Sequence, residues 1–228
     1  MTPGAPVPPG PHGPPVLHRP RLDELVQRAR ALAVPGQRHI LGIVGPPGAG
    51  KTTLAEAVCQ ALSGEAILVP MDGFHLSNDD LDRIGLRDRK GAPATFDAVA
   101  FLALLRRLRD AREPATLAPR FDRHADAAVP DAIAIPREVP LVVTEGNYLL
   151  LPDEPWVAIR CLLDEAWYLR SDETRVERLI RRHVEHGKAP DHARDWVQRS
   201  DEANARLIER TEDRADLVID GLPAIPAD

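Results

Sequence analysis

Aromatic residues are scarce in this chain, at 4% of 228 residues, and cysteine is scarcer still, with Cys59 and Cys161 alone. Two thiols far apart, with no Cys or His at metal-ligand spacing, exclude a disulfide framework and a zinc ribbon. Both are expected to be reduced, buried small residues. No uninterrupted apolar run approaches the roughly 20 residues that cross a bilayer. Met1 to Pro20 also lacks the apolar stretch of a secretory signal. A cytoplasmic protein without membrane contact is the expectation. A basic excess is missing too: the formal net charge is −6, which argues against general affinity for nucleic acid.

Proline is present in plenty, 23 residues in all, and it crowds residues 1–20 together with glycine. Such a segment lacks backbone donors and has little apolar surface to offset its ordering entropy. It reads as a disordered tail. Residues 21–228 read as one domain, long enough to bury a substantial core.

Within that domain, apolar periodicity predicts a helix over Arg21–Val34, a strand over His39–Val44 and a helix over Lys51–Leu62. A second strand, Ala66–Met71, ends at Asp72. Phe101–Leu108 lies in another helix, with Asp97 near its start. Leu141–Thr144 is a strand ending at Glu145, and Ala166–Leu169 is another. Ser171-Asp172 then reads as the N-cap of a long arginine-rich helix, and Leu217–Ile219 is a final strand. Short apolar strands alternating with helices imply an α/β fold: a mainly parallel sheet with helices on both faces. Ligands of such sheets bind beyond the carboxyl ends of the strands, which is where Gly45, Asp72 and Glu145 fall.

Gly45-Pro46-Pro47-Gly48-Ala49-Gly50-Lys51-Thr52 fits G-x-x-x-x-G-K-[ST] without mismatch, between a strand and a helix as that motif requires. Glycines let the backbone curl so that N–H groups face phosphate oxygens, and the helix presents its positive end there. Lys51 is placed to reach the β- and γ-phosphates, and Thr52 to ligate Mg²⁺. Thr53 completes the nucleotide-binding set. Two acids follow from position. Asp72 reads either as the base that takes the proton of an acceptor hydroxyl or as the Asx residue of an Asp-Gly turn. Glu145, after a buried apolar strand, is in the position of an acid that holds Mg²⁺, with an exposed strand-end charge as the other reading.

These residues resemble the uridine kinase, phosphoribulokinase and bacterial pantothenate kinase superfamily, from about His39 to about Asp220. The blocks that carry the likeness are the phosphate loop, Met71-Asp72-Gly73-Phe74, Arg89 to Asp97, Glu145-Gly146, and Arg178 to His183 with Gly187-Lys188. Within that group, Asp72 to His75, Pro119 to Arg123 and Glu145 to Tyr148 are similar to a branch described as nucleoside/nucleotide or fructose-transport kinase-like. The resemblance implies a three-layer P-loop sandwich with a small helical lid at about 175–195. It implies Asp72 as general base and an ATP- and Mg²⁺-dependent transfer to a hydroxyl of a nucleoside, pantothenate or sugar-like metabolite. The chain departs from the uridine kinase pattern in having Arg120-Phe121-Asp122-Arg123-His124 where Tyr-Asp-Phe is usual, and Lys188 where Arg is common.

Arg170, Arg175, Arg178, Arg181 and Arg182 crowd the last third. As a lid, Arg178 would hold nucleotide, and Arg181 and Arg182 would stabilise the transferred group together with Lys51. With Glu173, Glu177 and Glu185 interspersed, an ordinary solvated face is the alternative. The acceptor pocket is drawn from His75, Arg89, Phe96, Phe121, Arg123, His124 and Tyr148, a mixture that suits a polar or anionic acceptor better than a stacked base. The expected partner is a small-molecule hydroxyl acceptor, with no nucleic acid and no membrane, and a homodimer is left open. A regulatory nucleotide-binding protein without an acceptor is the competing function. Against it, no Asn-Lys-x-Asp guanine-reading tetrapeptide occurs.

Overall fold

The computed structural model describes residues 13–225. Six parallel strands form the central sheet in the order β1-β8-β7-β2-β6-β3. They are β1 (Val16–His18), β2 (His39–Val44), β3 (Ala66–Leu68), β6 (Leu141–Gly146), β7 (Glu165–Leu169) and β8 (Leu217–Asp220). Two antiparallel strands, β4 (Ala115–Asp122) and β5 (Ala127–Pro136), form a separate hairpin.

Successive strand side chains point to opposite faces, and the sheet has a core on each. Ile40, Val44, Val142, Ala166, Tyr168 and Val218 join one buried cluster. Leu41, Ile43, Leu141, Val143, Trp167, Leu169, Leu217 and Ile219 join the other. Helices α1 (Leu22–Leu32) and α2 (Lys51–Ala61) cover the second face through Leu25, Ala29, Leu54 and Val58. Helices α4 (Ala98–Asp110), α5 (Trp156–Arg160) and α8 (Glu202–Glu209) contribute to the first through Phe101, Leu105, Ile159 and Ile208. The mainly parallel α/β sandwich expected from the sequence is the one observed.

Two aspartates tie strand beginnings together. Asp164, just before β7, accepts the Ile40 N–H of β2 at 2.7 Å and both terminal nitrogens of Arg109. Asp216, just before β8, accepts the Ala166 N–H of β7 at 2.7 Å and is held by Arg160 at 2.9 Å. Each carboxylate thus satisfies the N–H of the second residue of the neighbouring strand, with an arginine from α4 or α5 behind it.

Four expectations are corrected. Val16–His18 is no part of a disordered tail: it pairs with Val218–Asp220 as β1. The remainder of that tail, residues 1–12, lies outside the described residues. Asp72 does not end a strand, because β3 stops at Leu68 and Met71–Phe74 forms a 3₁₀ turn after it. The hairpin was not foreseen: Pro119 interrupts β4, and β5 is rich in Ala, Pro and Asp, which strands disfavour. The arginine-rich helix starts at Arg175, after Thr174 rather than Ser171-Asp172, and is broken into pieces. It runs as α6 (Arg175–Glu185), α7 (Pro190–Trp196), a π turn (Val197–Asp201) and α8. Gly187 at φ 90° and Pro190 at the first turn of α7 mark the first break. The cysteines are free as expected, but Cys161 is exposed and Cys59 only partly buried.

Candidate active site

The loop from Gly45 to Gly50 leaves the central strand β2 and opens α2, as a phosphate cradle at a helix N-terminus must. Gly48 has φ +78°, and a Cβ there would stand 2.8 Å from Leu179 Cγ and 3.1 Å from Arg175 Cγ. No other residue type fits that position without moving α6. The arginine helix is therefore docked on the loop. Its contacts are polar as well: Arg178 donates to the Gly48 carbonyl at 2.9 Å, and Arg175 to the Pro47 carbonyl at 3.3 Å. Asp172 holds Arg178 at 2.8 and 2.9 Å, and Glu202 pairs with buried Arg175.

Lys51 is buried and donates from Nζ to the Pro46 carbonyl at 3.1 Å. Burial pushes its pKa down to about 8, against the opposing pull of Glu145 and Asp72. The Thr52 hydroxyl donates to Glu145 Oε1 at 3.1 Å, and Glu145 is itself buried. Its carboxyl is pushed well above the usual range, by burial first and by Asp72 second. Asp72 also acts on the charges of Lys51 and Arg182. Glu145, Asp72, Lys51 and Arg182 thus share one electrostatic neighbourhood. The ammonium, the Thr52 hydroxyl and the Glu145 carboxyl, set beside a glycine loop, fit a nucleotide polyphosphate with a hard divalent cation.

Two glycines explain how the acids come together. A Cβ on Gly146 would lie 2.7 Å from Met71, so the chain after Glu145 touches the residue before Asp72. A Cβ on Gly73 would lie 2.5 Å from the Pro119 carbonyl, so the β4–β5 hairpin rests on the Asp72 turn. Bare backbone at both positions closes the gap between two strand ends and the hairpin.

Of the expected acceptor residues, His75 and Phe121 are brought together. The His75 ring lies 4.0 Å from Phe96 and 4.7 Å from Phe121, and its Nδ1 bonds the Asp72 carbonyl at 2.8 Å. Burial lowers the His75 pKa, against the opposing pull of Asp72, and so favours the neutral ring. Arg123 is exposed but near enough to act on Glu145 and Arg182. His124 sits at the exposed hairpin tip, where its N–H donates to Asp122. Arg89 lies apart, in the wall of a cavity against Trp196 and Asn204.

Two expected residues fall elsewhere. Tyr148 is fully buried, edge-on to Phe96 and tilted against Trp156, and its hydroxyl donates to the Gly91 carbonyl. It is a core residue, because the turn after Gly146 directs it inward. Arg181 faces solvent at 71% side-chain exposure and pairs loosely with Glu185 at 4.0 Å. Arg175 takes the buried place instead. Arg175, Arg178 and Arg182 follow i, i+3, i+7 spacing and so share one helix face; that spacing is the sequence signal that singles out Arg175 and sets Arg181 aside. Lys90 was also missed: its Nζ lies 5.2 Å over the Phe121 ring and pairs with Asp126.

The profile of the Phosphoribulokinase / Uridine kinase family matches residues 40–226. A protein of Schizosaccharomyces pombe named as a candidate uridine kinase is 34% identical over 212 residues, spanning 88% of this chain and 90% of that one. The uncharacterised YggC protein of Escherichia coli is 33% identical over 210 residues, spanning 90% of this chain and 86% of that one. The crystal structure of a candidate fructose transport system kinase from Silicibacter sp. superposes with a TM-score of 0.79 at 36% identity. That match covers 87% of this chain and 98% of the other.

Proposed function

Because this chain belongs to the phosphoribulokinase / uridine kinase family and is a small-molecule P-loop kinase, we propose that it moves the γ-phosphoryl group of ATP to a hydroxyl of a small polar metabolite. The observation that carries this reading is the convergence of Asp72 with Lys51, Glu145 and Arg182 at the mouth of the phosphate loop. A nucleotide switch has no need of a second acid beside its loop.

In this reading the acceptor oxygen forms a bond to the γ-phosphorus as the bond to the β-bridging oxygen breaks, and ADP leaves. Asp72 orients the acceptor hydroxyl and takes its proton. Lys51 and Arg182 balance charge on the transferred group, and Arg175 and Arg178 hold α6 on the loop so that water is kept out. Thr52 and Glu145 are the residues that would hold Mg²⁺, whose contribution there is charge neutralisation on phosphate oxygens.

The test is ADP release with ATP, Mg²⁺ and a panel of uridine, cytidine, pantothenate, fructose and other sugars. A kinase responds to one class of compound above a low basal rate. With that acceptor, Asp72→Asn is expected to lower kcat about 10²- to 10⁴-fold while ATP still binds. Near-normal turnover by the variant would remove Asp72 as the base. A basal rate that no acceptor raises would favour the regulatory reading.

A further inference from the structure

The β4–β5 hairpin is anchored at its base. Ala118 and Ile135 are buried in the core, and Arg38 donates to the Pro136 carbonyl at 2.8 Å. Past Ala118 the pairing register shifts before Arg120, and residues 123–131 are exposed. A two-stranded ribbon is marginal by itself in water, and an irregular register loosens it further. The tip needs a hold of its own.

One polar cluster supplies it. Asp126 turns the chain at φ +51°, a left-handed conformation that aspartate tolerates better than most residues. Its carboxylate accepts from Asn78 Nδ2 at 3.1 Å and pairs with Lys90 Nζ at 2.8 Å. The same Nζ donates to the Asp126 main-chain carbonyl at 2.9 Å and to Asn78 Oδ1 at 2.7 Å. An ammonium has three donors, so Lys90 is satisfied within this cluster. Burial pushes the Asp126 carboxyl up, but the bonds from Lys90 and Asn78 outweigh it and hold the group below its ordinary range. Lys90 is mostly shielded, and the residue after it is fixed to the core: the Gly91 carbonyl accepts from the buried Tyr148 hydroxyl. The cluster thus joins an exposed tip to a loop seated on the core.

The tip carries residues that reach the phosphate-loop end. Phe121 lies 5.2 Å beneath Lys90 and 4.7 Å from His75, and His75 Nδ1 bonds the Asp72 carbonyl at 2.8 Å. Arg123 acts on the charges of Glu145 and Arg182. Movement of the tip would shift both an aromatic wall of the Asp72 turn and a cation near Glu145.

We propose that Asp126 is a positioning residue of the phosphoryl transfer: its latch to Lys90 and Asn78 sets Phe121 against His75 and keeps Arg123 at the Glu145 end, while Asp126 itself touches neither nucleotide nor acceptor. This inference deepens the kinase reading and rests on it.

Two measurements separate the inference from that reading. The first is amide hydrogen exchange of the full, nucleotide-free chain, read by NMR. Asp126→Gly keeps the left-handed turn and removes the carboxylate. Amides of residues 120–129 should then exchange about five- to twentyfold faster, and those of residues 115–118 and 133–136 should change by less than about twofold. Lys90→Met, which leaves the hairpin sequence intact, should loosen the same amides, and adding Asp126→Gly to it should change little more. Unchanged exchange at the tip, or additive effects of the two variants, overturns the latch whatever the enzyme's activity.

The second uses the acceptor that the ADP-release panel identifies. Asp126→Gly should lower kcat/KM for that acceptor about five- to fiftyfold, with the KM for ATP within about twofold of its starting value. Asp126→Asn, which keeps the turn and one side-chain oxygen, should recover part of the loss. Unchanged acceptor kinetics with a loosened tip would make Asp126 a brace of the hairpin alone and overturn the proposal. Equal losses for ATP and acceptor would overturn it too. If no acceptor responds while the tip loosens, the kinase reading falls and takes the positioning role with it, and the latch alone stands.

Discussion

Lys51 illustrates the cost of readiness at the scale of one residue. Its ammonium is buried with, among the described residues, the Pro46 carbonyl as its one hydrogen-bond partner, and its pKa falls from 10.5 to about 8. The unfolded chain therefore binds the proton more tightly than the folded one between pH 8 and 10.5. Stability of the nucleotide-free protein is predicted to rise with pH across that window. Lys51→Met should flatten the rise and be more stable at pH 7 by about 1–3 kcal/mol, read from urea midpoints. The same variant should lose about 10²- to 10³-fold in turnover, since a charge aimed at the transferred group is gone. Destabilisation by Lys51→Met would show that the ammonium is well satisfied without nucleotide. At this scale the sequence is legible where a residue's neighbours in the chain set its position: the loop follows β2, Asp72 lies in the turn after β3, and Glu145 is the penultimate residue of β6. It is illegible for Tyr148, whose inward direction depends on Phe96, Trp156 and Gly91 from other segments.

Elements are pinned at their ends. Asp164 satisfies a donor of β2 while Arg109 backs it, and it is mostly shielded from solvent. Asp164→Ala leaves the Ile40 N–H without its partner and Arg109 with the Leu162 carbonyl in place of a carboxylate, so a loss of about 2–3 kcal/mol is expected in chemical denaturation. Helix α4 ends on Ala111 at φ +45°, a left-handed conformation that an alanine side chain resists. Ala111→Gly should therefore stabilise the protein by about 0.5–1 kcal/mol, unless glycine's freedom in the unfolded chain cancels the gain. A thermal melt separates the two. Periodicity identified most helices and the apolar strands because those elements bury one consistent face. The hairpin escaped because its stability comes from resting on the Asp72 turn, through a contact between Gly73 and Pro119 that no local pattern announces. Gly187 and Pro190 encode the break between α6 and α7, and the arginines on both sides of it mask that signal in the sequence.

Across the whole molecule, segments distant in sequence, residues 15–19 and 218–220, lie side by side. Pro15 accepts the Val218 N–H at 2.9 Å, the Arg19 N–H donates to Asp220 at 2.8 Å, and the His18 ring bonds the Asp220 carboxylate. Among the described residues no helix is long and apolar enough to cross a membrane. The three-residue strand Val16–His18 has a consequence for colloidal behaviour. Without it, β8 would present a row of unpaired backbone donors and acceptors along the flank of a five-stranded sheet, a template for another chain's strand. Deleting residues 1–12 should leave the protein monodisperse in light scattering. Deleting residues 1–18 should make it associate in a concentration-dependent way, even where circular dichroism still reports a folded sheet. Three residues in a proline-rich stretch thus act as a selvedge, finishing the sheet so that it does not join to its neighbours.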